Sequence, residues 1–94
     1  MEVICINARK RPSDFPPHLW VEERIEVYTV TKVLRMANQP GVLGFVLKER
    51  DLSSLSKYDS FNSERFRPAT EKDRLEIAKA EELLQDLELS ELLV

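Results

Sequence analysis

Near its start the chain has an unbroken apolar run. Val3, Ile4, Cys5 and Ile6 follow one another, and in an extended backbone Val3 and Cys5 point to one side while Ile4 and Ile6 point to the other. Both sets are apolar, so the pattern predicts a strand over residues 2–7 that is buried on both faces. An apolar–polar alternation covers residues 25–36. Ile25, Val27, Thr29, Thr31 and Val33 form one face, and Tyr28, Val30, Leu34 and Met36 dominate the other. Its β-branched content disfavours a helix. A strand this long predicts a bend that lets it serve two sheets, as small barrels do. Asn38-Gln39-Pro40-Gly41 is a turn signal, because proline presets φ and glycine accepts a positive φ. Residues 42–49 then read as a third strand, with Leu43, Phe45 and Leu47 inward and Lys48 outward. The second and third strands form a hairpin.

Between the first two strands, residues 8–19 carry Pro12, Pro16 and Pro17, which exclude a continuous helix or central strand and predict a long loop. Residues 51–63 are polar and serine-rich, predicting one helical turn and then a loop. Glu64-Arg65-Phe66-Arg67 reads as a short strand that sends Phe66 into the core and stops at Pro68. Thr70 followed by Asp73 resembles a capping box, and Glu71 and Asp73 suit the positive end of a helix dipole. A helix is therefore predicted from Thr70 to about Leu89 or beyond. Ile77, Ala80, Leu84 and Leu87 form its apolar stripe, expected to dock on the sheet. Leu83, Leu92 and Leu93 lie to one side as candidate interface residues for a partner or a second copy. The organisation expected is a β-rich part over residues 1–69 and a helix over residues 70–94, packed as one domain.

Composition narrows the class. The chain has 94 residues, 43% hydrophobic and 33% charged, too apolar for a disordered chain and too charged for a membrane protein. Its longest apolar stretch, residues 42–47, is far short of the ~20 residues needed to span a bilayer. The N-terminus lacks the features of a secretory signal, and the single Cys5 fits a reducing compartment, so a cytoplasmic protein is expected. Charge is uneven: residues 1–50 hold eight Lys/Arg against six Asp/Glu, and residues 51–94 hold six against eleven.

Candidate chemistry is sparse. Arg9, Lys10 and Arg11 stand beside the proline-rich loop, with Arg35, Arg65 and Arg67 as further cations and Trp20, Tyr28 and Phe61 as stacking surfaces. Single-stranded nucleic acid is bound by such mixtures; the competing reading is a solvated loop and core aromatics, favoured by the acidic whole. Pro16-Pro17-His18-Leu19-Trp20 suits a docking segment, or a stiffened loop whose Trp20 caps the core rim. One histidine and one cysteine supply no metal-ligand spacing, and no metal or cofactor is expected. A serine nucleophile would need His18 as its base and Asp14 or Asp51 to orient it. Glu22/Glu23 and Glu81/Glu82 read as solvated faces, and the two glycines, Gly41 and Gly44, make no phosphate loop.

Several segments, taken in order, carry a resemblance: the Val-Ile-Cys-Ile-Asn start, a Pro and then Trp-Val, Val-Tyr-Thr-Val, Gly-Val-Leu-Gly-Phe-Val-Leu-Lys-Glu, and Phe-Asn-Ser-Glu-Arg-Phe-Arg-Pro. Over residues 3–68 the chain resembles a group of small bacterial and phage-encoded proteins of uncharacterised activity. The resemblance implies an SH3-like barrel and carries no catalytic residue. That group commonly has glycine in the turn before Tyr-Thr-Val, where this chain has Glu23-Arg24. The expected fold is thus mainly β, a small SH3-like bent antiparallel barrel with one C-terminal helix; an open α+β sandwich is the alternative. The expected function is a non-catalytic binding module for a protein partner, using Arg9, Lys10, Arg11, Trp20, Arg65 and Arg67. The same residues serve the alternative, a nucleic-acid-binding barrel. A homodimer through the helix is a further expectation, and a small enzyme using His18 ranks last.

Overall fold

A computed structural model describes residues 1–36 and 39–92, with helix side chains through Glu88. One strand serves two pairings. β1 (Glu2–Cys5) lies antiparallel to the first part of β2 (Val27–Arg35), with Val3 opposite Tyr28. The remainder of β2 pairs with β3 (Leu43–Leu47), with Val33 opposite Phe45. The register slips between Val30 and Lys32, so the expected bend is realised as a bulge at Thr31. β4 (Phe61–Asn62) and β5 (Phe66–Pro68) complete an antiparallel sheet in the order β4-β3-β2-β1-β5.

The order has a geometric consequence. β4 and β5 are the two edges of the sheet, yet only the 3-10 turn Ser63–Arg65 separates them in sequence. The sheet must curl to bring its edges that near, and Phe61 and Phe66 meet with ring centroids 6.4 Å apart. Among the described residues no ladder joins β4 to β5. The architecture is an open five-stranded antiparallel sheet followed by one helix, α1 (Glu71–Leu92).

The curl encloses Val3, Cys5, Phe15, Val21, Tyr28, Val30, Leu47, Leu52, Phe61 and Phe66. Tyr28 and Val30 are buried, Thr29 is half-buried and Thr31 exposed, so up to the bulge the Tyr28 side of β2 faces the core. Ile4, on the opposite face of β1, is buried as well, so residues 3–5 are covered on both sides.

Several boundaries differ from the pattern. β1 stops at Cys5 because the Arg65 carbonyl accepts from both Ile6 N–H (2.7 Å) and Asn7 N–H (3.3 Å), drawing the chain out of the ladder and exposing Ile6. Ile25 precedes β2 and is exposed, and Leu43, at the far end of the hairpin, lies beyond the core. Residues 51–63 contain no helical turn at their start; a reverse turn in which Leu55 N–H donates to the Leu52 carbonyl stands there instead, and a 3-10 turn, Ser63–Arg65, closes the stretch. Of the turn at residues 38–41, Asn38 lies outside the described residues, and Gly41 has the positive φ of 82° expected of it.

α1 begins as its sequence requires. Thr70 N–H donates to Asp73 Oδ2 (2.8 Å) and Asp73 N–H donates to Thr70 Oγ1 (3.2 Å), a reciprocal capping box. Arg67 of β5 grips the Asp73 carboxylate with two bonds of 2.7 Å, and Arg74 pairs with Glu2 at 3.0 Å. These contacts hold the first turn to β1 and β5. Beyond it the expected docking does not occur: Ile77 is half-buried, while Leu84 and Leu87 are 59% and 63% exposed. The anchors are polar and confined to the N-terminus, so the helix leaves the sheet and the molecule extends 53 × 29 × 21 Å. No helix among the described residues is long and apolar enough to cross a membrane.

Candidate functional site

The loop from β1 to β2 is long because three prolines keep it out of both helix and ladder. It is nonetheless well fixed. Phe15 is its anchor, 2% exposed and inserted among Trp20, Tyr58 and Phe61. Arg11 donates to the Phe15 carbonyl and Phe15 N–H to the Pro12 carbonyl (3.0 Å), closing a tight turn around that ring. Pro17–Leu19 forms a 3-10 turn with His18 exposed on it. Lys10 and Arg24 take left-handed backbone angles, φ 61° and 56°. Arg24 N–H donates to the Cys5 carbonyl (3.0 Å), tying the loop's end back to β1. Arg24 thus occupies the left-handed conformation that glycine favours.

Trp20 stands at the mouth of this arrangement, half-buried. Its indole Nε1–H donates to the Ala8 carbonyl at 2.8 Å, and Phe15 meets it edge to face at 5.0 Å. The Arg65 guanidinium lies 4.8 Å from the Trp20 ring and donates to the Asn7 and Arg9 carbonyls (3.2 and 2.7 Å). On the inner side Arg50 Nε–H donates to the Trp20 carbonyl (3.2 Å), while its other end pairs with Glu26 (2.6 Å). The buried Tyr28 hydroxyl accepts from Glu22 N–H (3.0 Å), and burial pushes that phenol well above its ordinary pKa. Trp20 is thus held through its ring, its indole N–H and its backbone carbonyl.

Pro12, Phe15, Trp20, Met36, Tyr58 and Phe61 line a small hollow of about 110 Å³, with Gln39, Asn62 and Arg65 as polar rim. Residues of the 6–26 and 48–60 loops meet there with Met36 and Gln39 and with the 3-10 turn after β4. On its outer edge the Tyr58 hydroxyl donates to Asp14 (2.7 Å) and Lys57 pairs with Asp14 at 3.3 Å. These two donors lower the Asp14 pKa, and the Asp14 carboxylate raises that of Tyr58.

Of the residues singled out from sequence, Trp20 and Arg65 come together, and Arg65 reaches the backbone of Arg9. Arg9 and Lys10 are exposed at the loop's surface, whereas Arg11 is spent on the Phe15 carbonyl. Arg67 is not part of this site, being turned to Asp73 at the helix cap. Tyr28 and Phe61, expected as stacking surfaces, are 0% and 2% exposed and belong to the core. His18 is not assembled with a carboxylate: Asp14 is engaged by Tyr58 and Lys57, and Asp51 accepts from Ser53 N–H. Leu83 is 63% exposed on α1 and far along the helix from its anchor, while the Leu92 side chain and Leu93 lie outside the described residues. No group of three or more His, Cys, Asp or Glu among the described residues is placed to hold a metal ion.

Sequence patterning does not single out Phe15, Tyr58 or Arg50, and it marks Asp14 only as a carboxylate that could orient His18. Phe15 precedes Pro16-Pro17 and Tyr58 interrupts a serine-rich stretch; each is a lone aromatic in a polar loop, which was the available signal. Compared with known proteins, the chain matches no family model, no curated protein and no solved structure.

Proposed function

We propose that this chain is a non-catalytic binding module for a protein partner, that its curled sheet closes as a small SH3-like barrel, and that the hollow beside Trp20 is where the partner sits. The observation that carries the reading is the pre-arranged aromatic mouth. Half-buried Trp20 is held through its indole N–H, its backbone carbonyl and its ring, with Phe15 and Tyr58 beside it in the hollow. Rigid aromatic surface with a polar rim is what protein interfaces use for their strongest contacts, because little side-chain entropy is lost on binding. The hollow is too small for a globular ligand and suits one or two side chains of an extended segment. The short 3-10 link between the sheet's edges supports the barrel closure. A cytoplasmic setting belongs to the same reading, supported by the buried free thiol of Cys5.

A nucleic-acid partner has one observation in its favour: the exposed Arg9 and Lys10 stand on the loop that carries Trp20. Against it, the Arg65 guanidinium already covers one face of the indole, and Arg11 and Arg67 are committed to internal partners. Selection from a random peptide library on the immobilised full chain separates the two. Recovered peptides are expected to bind the wild type and to lose at least about tenfold on Trp20→Ala or Tyr58→Ala, as hot-spot truncation does. Failure to recover any peptide, together with salt-sensitive binding of single-stranded oligonucleotides that Arg9→Ala/Lys10→Ala abolishes, would replace this reading by the second.

A further inference from the structure

Among the described residues the exposed stripe of α1 has no partner within the chain, and its surroundings are one-sided in charge. Leu83, Leu84 and Leu87 are 63%, 59% and 63% exposed. They are accompanied by Glu81, Glu82, Asp86 and Glu88, and after Lys79 the helix carries no basic residue at all. The remainder of the chain is complementary. Residues 1–70 hold eleven Lys/Arg against nine Asp/Glu, and residues 71–94 hold three against eight.

The opposite surface is a groove of about 640 Å³ outside the bend of β2. It exists because the bulge at Thr31 reverses the alternation of β2. Lys32 and Leu34 pair with Val46 and Gly44, on the face of β3 opposite Leu47 and Phe45, and so line an open surface away from the enclosed core. Leu34, Val46, Leu55 and Tyr58 give this groove an apolar floor, and Lys32 and Lys48 stand exposed on it with no ion pair among the described residues. Its acids are engaged locally: Asp51 accepts from Ser53 N–H (2.9 Å) and Asp59 from the Ser60 hydroxyl (3.1 Å).

We infer that the groove takes the acidic, leucine-bearing half of α1 from a second copy of the chain, giving a dimer by reciprocal exchange of helices. Three features select this occupant. The apolar floor matches the Leu83, Leu84 and Leu87 stripe, and the free lysines match the flanking carboxylates. A chain's own helix leaves the sheet beyond its anchored first turn, so its leucines are presented to another molecule. A helix-to-helix pair, by contrast, would set carboxylates against carboxylates in parallel and leave the groove empty. The groove and the Trp20 hollow share Tyr58, so the test below leaves that residue unchanged.

Light scattering on the full chain tests this. The expected mass is that of a dimer, shifting toward monomer at high salt as the Debye length falls from ~10 Å at 0.1 M to ~3 Å at 1 M. Leu84→Ser/Leu87→Ser and, separately, Lys32→Glu/Lys48→Glu should each weaken association by about tenfold or more. All four positions are surface positions, and circular dichroism checks that the variants are folded. Mixing the two variants should restore a mixed dimer, since one carries an intact groove and the other an intact helix. A monomer at every concentration overturns the inference. So does a dimer indifferent to Lys32→Glu/Lys48→Glu, which would assign the contact to a symmetric helix pair, and so does failure of the mixture to associate.

Discussion

Gly44 and Arg24 show how single positions hold the loops that build the site. At Gly44, β3 passes so near the 48–60 loop that an added Cβ would run into the Ser60 hydroxyl and stand 2.8 Å from Ser60 Cβ. Gly44→Ala is expected to lower stability by ~1–3 kcal/mol, the range of overpacking in a filled interior. In a Ser60→Gly background the same change should cost less, because the obstructing atoms are gone. Urea unfolding of the four variants gives the coupling, and equal costs in both backgrounds would refute the contact. Arg24 is the reverse case, a side chain in a conformation that suits glycine. Arg24→Gly should be neutral or stabilising by up to ~1 kcal/mol, since relief of left-handed strain is partly offset by the freer unfolded chain. Arg24→Val should destabilise, a β-branched residue being least able to sit there. A clear loss of stability in Arg24→Gly would mean that the arginine side chain makes contacts worth more than the strain.

The elements differ in how much of them local sequence could state. The capping box of α1 was legible because both partners are three residues apart, and the structure forms it at Thr70 and Asp73. The bend in β2 was legible from length, and Tyr28 and Val30 from alternation. The helix stripe misled, because amphipathicity says that a face wants cover without saying which chain supplies it, and Leu84 and Leu87 lie bare. Ile6 misled for another reason: its ladder is cut by the Arg65 carbonyl, which lies far away in sequence. The Trp20 site was half legible. Trp20 and Arg65 were identifiable as types, but their meeting, and the places of Phe15, Tyr58 and Arg50, depend on the topology that folds separate loops to one end.

The cap can be tested at this scale. Thr70→Ala should cost ~1 kcal/mol, as loss of a capping hydroxyl does. The Arg67 guanidinium and the Thr70 N–H hold the Asp73 carboxyl well below the usual carboxylate range. With the folded pKa below the unfolded one, the contribution is fully present above the unfolded value, ~3.9 for aspartate. It is then lost as pH falls through the folded value. Urea midpoints should therefore drop on acidification below about pH 4, and Asp73→Asn should have a lower midpoint at neutral pH and a flatter acid limb. An unchanged acid limb in Asp73→Asn would place the acid sensitivity elsewhere.

For the whole molecule, the joining of two sheet edges by one 3-10 turn bears on stability and shapes the proposed site. Phe66 is the keystone of that junction, packing on Tyr28, Phe45 and Phe61 at 6.1, 5.9 and 6.4 Å. Phe66→Ala should cost ~3–5 kcal/mol, a large part of what a domain of this size possesses, and a shift of less than ~1 kcal/mol would contradict the proposed closure. The same junction places the 3-10 turn against the β1–β2 loop, so that Arg65 meets Trp20 and the aromatic mouth exists at all. The most direct test of the binding-module account is amide NMR of the labelled full chain, titrated with the tightest library-selected peptide. The account predicts shifts concentrated on Phe15, Trp20, Tyr58, Phe61 and their loop neighbours, with the Trp20 indole signal moving among the most. Shifts centred instead on α1 or on Lys32 and Lys48, or no shift at saturating peptide, would contradict it.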